Sequence, residues 1–267
     1  MSIPTSGDRF AAFRHAAYTR FFLSRFFAAF AIQIVSVSVG WQMYDETRNP
    51  LYLGLIGLFQ FLPSLLLILV TGSVADRYNR RMIMAICMVV GGLCSAALLA
   101  LTITDSFTPW LVFSILVVFG IERAFMGPAV QSLGPNLVPE EDLPNAIAWN
   151  SSSWQTASIL GPVFGGLLYG ASSIAAYSVA CFLMTVAAIL VFLIPKPAQR
   201  TPSSKVSWNE MLAGFRFIAG EKIVLGAISL DLFAVLLGGG PLEKILRRHL
   251  RKEDEAAREK NPPTNIS

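Results

Sequence analysis

The chain has 267 residues, 54% of them hydrophobic and only 14% charged, and its mean hydropathy of +0.57 is too high for a soluble domain of that length. A net charge of +4 does not point to nucleic acid, because the basic residues sit in short polar segments that flank apolar runs and in the C-terminal tail, where orientation in a bilayer accounts for them. The chain therefore reads as an all-α, polytopic membrane protein with membrane lipid around it and no nucleic-acid partner.

Residues 1–17 carry Asp8, Arg9, Arg14 and His15. They lack a small-residue cleavage site behind a short apolar core, so they read as a cytoplasmic N-terminus and the start of the mature protein, not as a signal peptide. A first span covers residues 18–44, interrupted early by Arg25, and Asp45, Glu46, Arg48 and Asn49-Pro50 form a short loop on the far side. Residues 51–74 return, residues 82–104 cross outward, Asp105-Ser106 turn, and Pro109 opens a fourth span that reaches about residue 130. Each is long enough for a hydrocarbon core of about 30 Å at roughly 1.5 Å per residue. Residues 131–148, with three prolines and Glu140-Glu141-Asp142, read as a cytoplasmic connector. Spans five and six follow at 149–169 and 174–194, which completes a six-helix bundle over residues 18–194. Cys87, Cys94 and Cys181 all lie in apolar runs without a CxxC pair, so packing is their expected role.

Beyond the bundle, residues 195–222 read as a cytoplasmic linker with an interfacial helix. Residues 223–240 form a short apolar seventh segment containing Asp231, and residues 241–267 a charged tail. If the seventh segment crossed, span parity would put Lys244, Arg247, Arg248, Arg251 and Lys252 outside, against the orientation rule.

Between the second and third spans lies Gly72-Ser73-Val74-Ala75-Asp76-Arg77-Tyr78-Asn79-Arg80-Arg81. It reads as a tight cytoplasmic loop in which Asp76 caps the next helix and Gly72 permits close approach to a neighbour. Its Gly-x-x-x-Asp-Arg-x-x-Arg-Arg spacing resembles the loop signature of major facilitator superfamily transporters. Asn79 replaces the usual glycine, and Asn tolerates a left-handed turn. Arg123-Ala124-Phe125-Met126-Gly127 in span four resembles that superfamily's Arg-x-x-x-Gly pattern, with Met126 where a Gln often stands. Gly161-Pro162-Val163-Phe164-Gly165-Gly166 resembles the Gly-Pro-x-x-Gly-Gly signature of the fifth helix of its exporters. Gly40-Trp41-Gln42-Met43-Tyr44-Asp45, with Pro63, resembles its siderophore-exporter branch, typified by the enterobactin exporter.

The resemblance implies a secondary active transporter of the bacterial inner membrane, built from two six-helix bundles around a midplane cavity that rock to alternate access. Its substrate would be a small organic compound or siderophore, and protons the coupling ion. Gly72, Asp76, Arg77, Arg80 and Arg81 would form the loop motif and gate. Arg123 would contact substrate or take part in proton coupling; the alternatives are that it snorkels to the interface or that Glu122 offsets its charge. Asp231 is either a proton-carrying acid or a solvated residue. Ala157, Gly161 and Gly165 share one helix face as a packing groove, Pro162 permits a bend, and Gly166 completes the motif. Gln33 and Ser36 on span one, and Asn150, Trp154 and Ser158 on span five, either line the cavity or make interhelical hydrogen bonds.

With one bundle and a stub of the next, the chain is expected to be truncated and to act only through self-association or with a missing C-terminal half. The alternative is a remnant that inserts without transporting. An embedded enzyme is disfavoured: His15 and His249 lie near the ends of the chain and no Gly-x-x-x-x-Gly-Lys loop is present, so neither metal nor cofactor is expected.

Overall fold

Where the chain turns, short polar residues and prolines meet the needs of the helix ends, and between the turns long apolar runs satisfy every backbone group internally, as lipid demands. The computed structural model describes residues 9–195, without the side chains of Ile68, Leu69, Ser73, Asp76 and Arg77. The linker beyond residue 195, the seventh segment with Asp231 and the tail lie outside the described residues. Six long helices follow in order: α1 Ala16–Thr47, α2 Pro50–Arg77, α3 Arg80–Ile103, α4 Pro109–Leu133, α5 Leu143–Ala171 and α6 Ser173–Phe192. Single turns of 3₁₀ helix occupy Ala11–Arg14, Gly134–Leu137 and Glu140–Asp142.

Arg48 ends α1 in the left-handed conformation, φ 51°. The Asn49 side chain then accepts from the Leu51 amide at 3.0 Å, with Pro50 at the first turn of α2, where its missing N–H costs nothing. The connector between α4 and α5 is shorter than expected, residues 134–142, because Pro144 is accommodated in the first turn of α5.

The expected loop around Asp76 is corrected more substantially. α2 continues to Arg77, so Asp76 belongs to its last turn, and only Tyr78 and Asn79 separate it from α3. Asn79 is the N-cap of α3: its side chain accepts from the Arg81 amide at 3.1 Å, and its backbone is extended (φ −64°, ψ 109°), not left-handed. A cap requires this extended conformation, which explains an Asn here without a glycine-like turn. A Cβ at Gly72 would meet nothing within 4 Å among the described residues.

Five of the six helices are long and apolar enough to cross a membrane. α5 has the length, 29 residues, but its first half carries Asn150, Ser151, Ser152, Ser153, Gln155 and Thr156. Several of these hydroxyls are satisfied within the helix: Ser152 donates to the Ala148 carbonyl at 2.9 Å and Thr156 to that of Ser152 at 2.8 Å.

α2 packs on α4, α4 on α3, α3 on α6, α6 on α1 and α1 on α5. Lipid supplies no hydrophobic drive between helices, so close van der Waals fit decides these contacts. α6 offers a buried row of Ala176, Ala180, Ala187 and Ala188. α5 meets α1 at Gly161 and Gly165, where an added Cβ would come within 2.5 Å of Gln33 Cβ and 3.1 Å of Ile34 Cα. α2 meets α4 at Gly120, where a Cβ would lie 2.5 Å from the Gln60 carbonyl oxygen, and Ser64 donates to the Gly120 carbonyl at 2.9 Å. The N-terminal 3₁₀ turn is held to the start of α5. Asn145 and the Trp149 indole donate to the Arg9 carbonyl at 3.0 and 2.8 Å, and His15 pairs with Asp142 at 2.8 Å.

Candidate transport cavity

A charged side chain inside a membrane bundle must face a cavity or a partner, and Arg123 on α4 faces cavities. One, of about 460 Å³, lies between α1 and α4; Arg25 and Gln33 line it from α1, Glu122, Arg123 and Gln131 from α4, Met88 from α3 and Trp154 from α5. A second, of about 580 Å³, opens on the α2 side of Arg123 and is lined by Gln60, Ser64 and Gln131 among others.

The expected site residues separate into three groups. Arg123, Gln33 and Trp154 meet at the first cavity, with Trp154 41% exposed. Ser36 lies at a small recess of about 20 Å³ beside Arg123 and Glu122. Asn150 and Ser158 are half-buried and line none of these three cavities; the side-chain amide oxygen of Asn150 is buried without a hydrogen-bond partner among the described residues. Gly161 and Gly165 are packing positions, but a Cβ at Gly166 would meet nothing within 4 Å, and α5 runs unbroken through Pro162.

The loop arginines act on helix ends. Arg81 donates to the Phe192 carbonyl of α6 at 2.8 Å, Arg80 to the Ser132 carbonyl of α4 at 3.3 Å and to the Ala75 carbonyl of α2 at 3.4 Å. Arg20 of α1 adds a bond to the Leu193 carbonyl at 2.7 Å. Three helix C-termini, each leaving carbonyls unsatisfied, thus receive cationic donors. At the other end of the bundle, Gln42 exchanges hydrogen bonds with Thr102 of α3 at 3.2 and 3.3 Å, and Asp45 accepts from Tyr169 of α5 at 3.1 Å.

Sequence reasoning missed three members of the site. Arg25 was visible as a charge in an apolar run but had no motif to give it a role. Gln131 was assigned to a connector and belongs to α4. Glu122 is 3% exposed, and neither carboxyl oxygen has a hydrogen-bond partner. It makes no hydrogen bond to Arg123, although both residues line the first cavity and the recess beside it. Its carboxyl group lies beside Gly91 of α3, with its carbon 3.9 Å from where a Cβ at that position would be.

Residues 7–235 match the model of the transmembrane secretion effector family. The chain belongs to this family of the major facilitator superfamily. Macrolide efflux protein A of Streptococcus pyogenes is 25% identical over 210 residues, covering 77% of this chain and 50% of that protein. The staphyloferrin A transporter of Staphylococcus aureus is 25% identical over 198 residues, 70% of this chain and 49% of the relative. The enterobactin exporter EntS of Escherichia coli is 25% identical over 233 residues, 84% and 53% respectively. The chain spans about half the length of the curated relatives it matches. Transmembrane secretion effectors are multi-pass membrane transporters, so the family's business is transport and not catalysis.

Proposed function

We propose that this six-helix unit is one half of a secondary active exporter of the bacterial inner membrane, that Arg123 and its cavity lie on the substrate path, and that protons are the coupling ion. The observation that carries the proposal is the pair of arginines on one internal cavity of an otherwise apolar bundle, since charge at such depth costs about 2.5–3.5 kcal/mol on insertion scales and is kept where it serves a pathway. The activities for which the relatives are named, macrolide efflux, staphyloferrin A transport and enterobactin export, support an amphipathic organic cargo. Trp154 and Met88 would hold its apolar part and Gln33 its polar groups.

Alternating access requires a wall facing the cavity that moves against this one. A second six-helix bundle, from another copy of this chain or from a C-terminal half of the kind its longer relatives have room for, would supply it. Arg80 and Arg81 would serve the gate by holding the ends of α2, α4 and α6 in one arrangement and releasing them in the other, with Gly72, Asp76 and Arg77 completing the loop motif.

The test is vectorial transport by the full chain in inverted vesicles. A proton gradient is expected to drive uptake of a fluorescent amphipathic compound, and Arg123→Ala to abolish it at matched membrane levels. Uptake that ignores the gradient removes proton coupling, and uptake unchanged in Arg123→Ala removes the cavity from the path.

A further inference from the structure

The 460 Å³ cavity contains three charged residues, Arg25, Glu122 and Arg123, but they are not equally presented to it. Both Glu122 oxygens are buried, with no hydrogen-bond partner among the described residues. Arg25 is half-buried and Arg123 exposed, and neither guanidinium makes a hydrogen bond or ion pair among the described residues. Four arginines nearer the bundle ends do find such partners: Arg20, Arg80 and Arg81 bind helix carbonyls, and Arg48 pairs with Asp45 at 3.8 Å.

The two cavity arginines also share a level. Arg25 stands nine residues inside the start of α1 and Arg123 ten residues before the end of α4. α1 starts and α4 ends at the same end of the bundle, so each is roughly 15 Å in from it. Two cationic forks at one depth, on α1 and α4, face a cavity whose one lining carboxylate among the described residues, Glu122, is buried, and they form a receptor for negative charge. Trp154 and Met88 on the same wall add an apolar surface for a ring or hydrocarbon.

We propose that this cavity selects organic anions, that is, amphipathic compounds bearing a carboxylate or similar acid held between Arg25 and Arg123, with the apolar part against Trp154. The proposal rests on the reading of the cavity as the substrate path and narrows it to a charge class. Arg25 then becomes a specificity residue equal in weight to Arg123, although it belongs to no motif.

A matched set of dansyl probes tests it on the purified full chain in nanodiscs of zwitterionic lipid, read by energy transfer from tryptophan with protein-free discs subtracted. Dansylglycine is an anion, dansylglycinamide its neutral analogue and dansylcadaverine a cation. Dansylglycine is expected to bind about tenfold more tightly than the amide, a factor worth about 1.4 kcal/mol, and the cation more weakly still. Arg25→Gln and Arg123→Gln should each erase that preference, Arg25→Lys should retain part of it, and Trp154→Ala should weaken anion and amide alike. Helix content and elution volume of each variant show that it is folded.

Equal binding of the three probes, or a preference for the cation, would mean that acids elsewhere neutralise the guanidiniums, and the proposal falls. It falls equally if anion preference survives both Gln variants. Selective anion binding without vectorial transport would leave this inference standing and sink the exporter reading, whereas gradient-driven uptake of dansylcadaverine, insensitive to Arg25→Gln, would do the opposite.

Discussion

Glu122 and Arg123 are neighbours in the chain and line one cavity from α4. The sequence leaves open that the acid offsets the charge of the base; in the bundle, the acid is buried with no hydrogen-bond partner for either oxygen among the described residues, while the base is exposed to the cavity. Leaving a buried polar group unsatisfied costs about 1–3 kcal/mol, more when it is charged. Replacing Glu122 by Met, which fills similar space without the polar oxygens, is expected to raise stability by about that amount. Denaturant titration in mixed micelles measures it, with transport assayed in parallel. Stability should rise while gradient-driven uptake falls, the trade-off of a residue retained for function. A less stable Glu122→Met would show that the acid has a partner beyond the described residues. Arg123 was legible because charge in an apolar run is rare and its neighbours fit a pattern. Arg25 gave the first signal without the second, and no one-dimensional signal distinguishes Gln33, which reaches the cavity, from Asn150, which does not.

Packing between helices was legible where small residues recur on one face and invisible where a single glycine does the work. Ala157, Gly161 and Gly165 follow a four-residue rhythm; the two glycines lie against Gln33 and Ile34 of α1, and Ala157 is buried. Gly120 has no rhythm, yet a Cβ there would lie closer to backbone than one at any of the motif glycines, 2.5 Å from the Gln60 carbonyl. Gly166 and Gly72, both in family signatures, would tolerate a Cβ as far as the described residues reach. This predicts an ordering opposed to the motifs. Gly120→Ala and Gly161→Ala should each destabilise by about 1–3 kcal/mol through overpacking, whereas Gly166→Ala and Gly72→Ala should be neutral or gain up to about 1 kcal/mol from helix propensity. Unfolding titrations of the four variants decide it. Equal losses at all four sites would show that the signature glycines face a surface outside residues 9–195. The Asp76 loop failed as a loop for a related reason: charged residues at a membrane surface were read as a break in the chain, but a helix emerging from lipid into water continues through charges at little cost, and α2 does so to Arg77.

The whole bundle carries a charge asymmetry that its helix order makes visible. Arg9, Arg14, Arg20, Arg77, Arg80 and Arg81 all fall where α1 and α3 begin and α2 ends, while the opposite end has Arg48, and Arg25 and Arg123 lie between. Because α4 and α6 end and α5 begins at the arginine-rich face, the hydrogen bonds from Arg20, Arg80 and Arg81 to helix carbonyls all form there. The same side chains thus cap helices and, by the positive-inside rule, give the reason to expect this face in the cytoplasm. A cysteine at Asn79, in a background with Cys87, Cys94 and Cys181 replaced, should resist an impermeant thiol reagent applied to intact cells and react once the membrane is opened. A cysteine at Ser106, in the turn between α3 and α4, should react at once. Labelling of the Asn79 site from outside would invert the bundle and require the arginine-rich face to cross the membrane, against a cost of about 2.5–3.5 kcal/mol per residue at the bilayer centre. The carbonyl bonds would survive that inversion, since capping depends on the helix ends alone. Orientation depends on the charge, so the labelling result separates the two roles of the same arginines.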